Sequence, residues 1–82
     1  MKSILFTSAI INRNRVKFLY GFSEIVLEPY HMNRNKSGKK VLFGRIIGSS
    51  EIKMYEFEKM CNIRVLPKER FSPMIPIIPR FN

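Results

Sequence analysis

Hydrophobic and polar residues alternate with a period of two through most of this chain. Val16, Phe18 and Tyr20 fall on one side of a run whose other side holds Lys17 and Leu19, the spacing of a half-buried strand. Glu24 to Met32 predicts a second strand. Pro29 within it demands an edge position or a bulge, because proline has no N–H to give a ladder. Lys39 to Ile47 repeats the alternation, with Val41, Phe43, Arg45 and Ile47 facing one way and Lys40, Leu42, Gly44 and Ile46 the other. Ile52 to Met60 predicts a fourth strand, with Tyr55 and Phe57 opposed to Glu56 and Glu58. Cys61-Asn62 interrupts, and Ile63 to Leu66 makes a short fifth strand ended by Pro67. Gly21 with Ser23, Asn33 to Gly38 and Gly48-Ser49-Ser50 supply the turns. Four or five short strands at roughly ten-residue spacing predict a small, strongly curved antiparallel sheet or barrel. An open sheet of this size would leave long edges exposed, so closure is expected.

The two ends break the pattern. Residues 3–12 fit a short helix capped by Ser3, with Ile4, Leu5, Ala9 and Ile11 sharing a face. Their β-branched content leaves a strand open as the alternative. At the other end Pro73, Pro76 and Pro79 recur every third residue around Met74-Ile75 and Ile77-Ile78, the repeat of a polyproline II helix. Such an arm suits an SH3-type partner, or packs its apolar side chains on its own barrel or a neighbouring subunit. The expected organisation is mainly β: one small barrel with an N-terminal helix over residues 1–70, and an extended apolar arm over 71–82.

Charge changes the picture. Fifteen Lys and Arg stand against six Glu and no Asp, giving +9 over 82 residues. That excess repels itself in the folded state and attracts polyanions, nucleic acid first and an anionic membrane or acidic protein second. It also serves plain solubility. No carboxylate occurs between Glu28 and Glu51, so the turn and strand after His31 are expected to carry unneutralised positive charge. Arg34, Lys36, Lys39 and Lys40 are the expected phosphate contacts, with Arg45 beyond them. Tyr20, Tyr30, Phe43 and Tyr55 could stack on bases; Phe43 and Tyr55 are assigned to the core. Tyr30, between Pro29 and His31 on an irregular strand, is the expected accessible aromatic.

Candidate chemistry is sparse. Glu56 and Glu58 are expected to share a strand face, where a solvated, charge-balanced pair is the simpler reading than an acid–base couple. Cys61 and His31 would form a nucleophile–base dyad only if the fold joined them. One His and one Cys do not make a tetrahedral metal site without further ligands, and the four glycines are scattered rather than gathered in a phosphate loop. The expectation is a non-enzymatic protein without cofactor or metal. A single cysteine fits a reducing compartment, and the apolar run from Ile4 to Ile11 is too short to span a bilayer, so a cytoplasmic protein is expected.

Three segments carry a family resemblance. Ala9-Ile10 followed by Val16-Lys17-Phe18-Leu19-Tyr20, then Glu28-Pro29-Tyr30-His31-Met32, then Tyr55-Glu56-Phe57-Glu58-Lys59-Met60 together resemble the WYL domain, over about residues 8–66. Where that family has its Trp-Tyr-Leu triplet, this chain reads Lys40-Val41-Leu42-Phe43, and it has no Trp. The resemblance implies an SH3-like small β-barrel of bacterial regulators. It also implies a module that binds nucleic acid or a nucleotide, with Lys59 near the binding face and Arg45 able to point to it. The expected function is therefore a regulatory binding module for such a ligand, using Arg34, Lys36, Lys39, Lys40, Arg45, Lys59, Tyr30 and His31. The alternative is a protein–protein or homo-oligomerisation module acting through strand edges and the Pro-spaced tail.

Overall fold

The computed structural model describes residues 2–72, the side chain of Glu69 excepted. A helix, α1 (Lys2–Asn12), precedes five strands: β1 (Asn14–Tyr20), β2 (Ser23–Arg34), β3 (Lys40–Ile46), β4 (Ile52–Glu56) and β5 (Met60–Arg70). A 3₁₀ turn, Phe57–Lys59, joins β4 to β5. All pairings are antiparallel and the sheet order is β4-β3-β2-β1-β5. The Pro-spaced arm from Pro73 lies outside the described residues; its forerunner Phe71 is buried against the Tyr30 ring, centroids 5.9 Å apart.

The fold is mainly β with an N-terminal helix, as the alternation predicts, but the sheet is not closed into a barrel. β4 and β5 are its two edges, yet one short turn connects them. Flat strands would set those edges ~19 Å apart, whereas three 3₁₀ residues advance only about 6 Å, so the sheet must curl strongly. The remaining gap is spanned by side chains instead of a ladder. The Tyr20 hydroxyl on β1 accepts from the Glu56 backbone N–H at the end of β4, at 3.1 Å. The Tyr20 and Tyr55 rings meet edge to face with centroids 4.9 Å apart.

One face of the curled sheet holds the core. Val16, Phe18, Leu27, Leu42, Tyr55, Phe57 and Met60 pack there with Phe6 and Ala9 of α1. Residues 2–12 are helical, and their buried face is only partly the expected one: Ala9 is sealed in and Leu5 packs against the core, but Phe6 is the main anchor, while Ile4 and Ile11 are 70% and 71% exposed. Phe6 meets Phe57 edge to face, centroids 5.1 Å apart, and this anchor sets the helix's rotation over the sheet.

Two local features shape the strands. Pro29 sits in the central strand, not at an edge, and the alternative reading holds: the β2–β3 register shifts between Pro29 and His31, a bulge at Tyr30. Opposite Pro29 lies Gly44, where an added Cβ would stand 2.4 Å from the Glu28 carbonyl oxygen and 2.7 Å from Leu27 Cγ. Only glycine lets β3 approach β2 this closely. The fourth predicted strand stops at Glu56, and β5 runs through Cys61-Asn62 and Pro67 to Arg70. It does so because an edge strand tolerates both a bulge and a proline.

Candidate nucleic-acid interface

The register fixes which side chains share the face opposite α1. Leu27, Ile25 and Val16 face the core, so their neighbours Glu28 and Arg15 face away, and Arg45 lies directly across from Glu28. Glu28 is 1% exposed and sits between two arginines. Its Oε2 accepts from Arg15 Nε and Nη2 at 3.2 and 3.1 Å, and its Oε1 from Arg45 Nε and Nη2 at 3.0 and 2.6 Å. Arg45 Nη1 also donates to the Ser49 carbonyl in the following turn, at 2.8 Å. The Glu28 and Tyr30 bonds raise the Arg45 pKa further, so its charge is permanent. Two guanidiniums thus share the one Glu28 carboxylate.

Beside the cluster lies an aromatic pair. His31 and Phe43 are opposite one another on β2 and β3 and stack with ring centroids 4.5 Å apart and planes 13° from parallel. Both are half-buried. Met54, across from Phe43 on β4, is 48% exposed, and Ile52, across from Arg45, is 43% exposed. Burial lowers the His31 pKa below 6.5, so near neutral pH the ring is an uncharged aromatic surface and not a cation. Phe43 thus lies outside the core to which the alternation assigned it. Its cross-strand partner His31 was the available signal.

Tyr30 is the reverse case. The bulge turns it into contact with Phe71, and at 2% exposure it is not the accessible aromatic expected. Tyr55 is buried as expected, and burial raises its pKa.

The remaining predicted residues gather at one end of the sheet. The turn 35–39 is tightly made: Asn35 Oδ1 accepts from the Ser37 and Lys39 N–H groups at 2.9 and 3.0 Å. Arg34 Nη1 caps the Gly38 carbonyl at 2.7 Å. Gly38 adopts φ 80, which glycine takes without strain. The expectation of unneutralised charge is corrected here for Lys39, whose Nζ lies 2.6 Å from Glu58 Oε1 on the 3₁₀ turn. That bond raises the Lys39 pKa and lowers that of Glu58. Lys59 approaches Glu56 at 3.8 Å. Glu56 and Glu58 therefore serve separate lysines, because the 3₁₀ turn breaks the strand geometry that would have aligned them. Lys36 is exposed, and Lys40 and Arg34 line a groove of ≈ 320 Å³ with Ser3, Met32, Asn33 and Phe57.

The predicted residues thus divide. Arg34, Lys36, Lys39, Lys40 and Lys59 share the turn end, while Tyr30, His31 and Arg45 lie with Phe43 on the face opposite α1. Cys61, opposite Leu19 on that face, is three outward rows from His31, so the fold does not join them. Among the described residues no group of three His, Cys, Asp or Glu could hold a metal ion, and no helix is long and apolar enough to cross a membrane. The chain matches no protein family model, no curated protein and no solved structure.

Proposed function

We propose that this protein is a non-enzymatic binding module for nucleic acid or a nucleotide, built as a divergent, incompletely closed SH3-like barrel of the WYL type. The observation that carries the reading is the stacked His31–Phe43 pair set beside the Arg45–Glu28–Arg15 cluster. Small β-sheet proteins that bind single strands combine an aromatic platform for bases with cations for the backbone, and this face has both. The turn Arg34–Lys40 adds a stiff basic rim whose cations are less neutralised than those of the cluster, Lys39 apart. The strand order with a 3₁₀ turn between β4 and β5 supports the SH3-like assignment.

A salt-titrated binding screen tests the proposal. Single-stranded oligonucleotides should bind more tightly than duplexes of the same length, because stacking needs unpaired bases. Affinity should fall as salt rises. Salt-independent binding, or none for any oligonucleotide or nucleotide, would contradict it.

A second reading has its own observation. β4 is an edge strand, and it carries exposed Ile52 and Met54, features of a strand that pairs with another chain. Sedimentation separates the readings: concentration-dependent assembly lost in Met54→Lys would favour the interaction module.

A further inference from the structure

We propose that Lys17 and Arg64 hold a phosphate group in the groove at the β1–β5 bulge, as a second anion site on the face that carries Phe43. The proposal rests on the nucleic-acid reading and gives the bound strand a path. Lys17 and Arg64 are direct cross-strand partners, and like charges in that position repel. Glu24 is the nearby carboxylate, 3.7 Å from Lys17 Nζ and itself 62% exposed. Among the described residues no carboxylate pairs with Arg64. Two cations are thus held side by side with one loose counter-charge on the β2 side of Lys17, an arrangement that a bound anion relieves.

The backbone opens a space for that anion. After the Lys17–Arg64 pair the register shifts, so that Asn62 and Ile63 together oppose Phe18, and Asn62 takes the left-handed conformation with φ 52. The result is a groove of ≈ 480 Å³ lined by Lys17, Leu19, Glu24, Asn62 and Arg64, with Phe18 at its base. Bulges of this kind commonly re-aim side chains at binding sites. Asn62 contributes an amide that can donate to a phosphate oxygen.

The site is also continuous with the platform. Lys17 follows Arg15 by two residues on the same face, and Arg15 shares Glu28 with Arg45, which follows Phe43 by two. Strand geometry puts the Phe43 and Lys17 rows ~14 Å apart, a reach suited to the about 4–16 nucleotides that one small barrel occupies. A single strand stacked on Phe43 would pass the arginine pair and end with a phosphate between Lys17 and Arg64.

The test is fluorescence anisotropy with labelled oligothymidylates of graded length, comparing the full chain with Lys17→Gln/Arg64→Gln. The variant should bind more weakly, and its log–log salt slope should be smaller by about 0.7, the value for one single-strand phosphate. Between 50 and 200 mM salt the native chain should then lose about 2.6-fold more affinity than the variant. The variant's thermal midpoint should be unchanged or higher, since a like-charge pair is removed, and Arg64→Gln alone should give about half the slope change. Native affinity and slope in the variant would overturn the subsite and leave the nucleic-acid reading standing. If the native chain binds no oligonucleotide, that reading fails and inorganic phosphate decides. Amide shifts at Lys17 and Arg64 on phosphate titration would then support an anion site for a free phosphate, and their absence would overturn it.

Discussion

The basic turn and the face opposite α1 are both positively charged, but they are built differently. The turn is a local structure. Asn35 to Lys39 hydrogen-bond among themselves, Arg34 reaches four residues to Gly38, and Lys36 is exposed while Lys39 pairs with Glu58 at the surface. The opposite face is assembled from three strands: Arg15 of β1, Glu28 and His31 of β2, and Phe43 and Arg45 of β3 are brought together only by register. Charge at the turn is therefore easy to change and costs the fold little. Charge on the face is locked to a buried carboxylate, and altering it alters the protein. An exposed turn suits steering a polyanion, and a rigid face suits holding one in a single orientation.

The largest effect that separates the two regions should come from Glu28. Glu28→Gln removes the charge that both arginines share, and denaturant unfolding should show a clear loss of stability, larger than that of either glycine substitution. A loss within error would mean that the arginines re-pair with solvent and that the face is as plastic as the turn. Gly44→Ala should follow, at about 1–3 kcal/mol, because its Cβ would collide with the backbone and side chain of β2. Gly38→Ala in the turn meets no atom within 4 Å; its cost should be the smaller strain of a left-handed alanine.

Binding should order the regions in the same way. Phe43→Ala should weaken single-strand affinity by about 1–3 kcal/mol through the lost stack while leaving the salt slope intact. Lys39→Glu/Lys40→Glu should do the opposite, flattening the salt dependence while the preference for single over double strands remains. If both variants changed slope and strand preference together, the division into a steering rim and a reading face would collapse.

The smallest effect concerns pH. The His31 pKa is lowered in the folded state, so the unfolded chain binds the extra proton first as pH falls. Its contribution is fully present above about 6.5, the ordinary histidine value, and is lost as pH falls below it. The native thermal midpoint should accordingly drop slightly more between pH 7 and 5 than that of His31→Gln. An identical drop would place no buried imidazole at the stack.

How much of this was legible along the chain follows from where the information lies. Strands with strict alternation, such as Val16 to Tyr20, were readable because each residue's face is set by its own neighbours. The turn was readable for the same reason, although Asn33 and Arg34 belong to β2 and it begins only at Asn35. Three features were not. The 3₁₀ turn at Phe57 leaves Tyr55 and Phe57 both buried, as a continuous strand would, so the pattern hid the break that sends Glu58 to Lys39. The bulge at Tyr30 reverses which aromatic is accessible, and only the mismatch between β2 and β3 reveals it. Barrel closure failed because β4 ends after five residues and Tyr20 supplies the partner that a β5 carbonyl would have given. Charge summed along the sequence picked out the basic turn and Arg45 but not the cluster that holds Arg45, since Glu28 and its two arginines are thirteen and seventeen residues apart.

The central claim is that nucleic acid is read on the face opposite α1. A ¹⁵N-resolved NMR titration of the chain with a short single-stranded oligonucleotide tests it most directly. Amide shifts should concentrate at His31, Phe43, Arg45 and Met54, with weaker, salt-sensitive shifts across Arg34 to Lys40. Shifts confined to the turn, or to α1, would contradict the account.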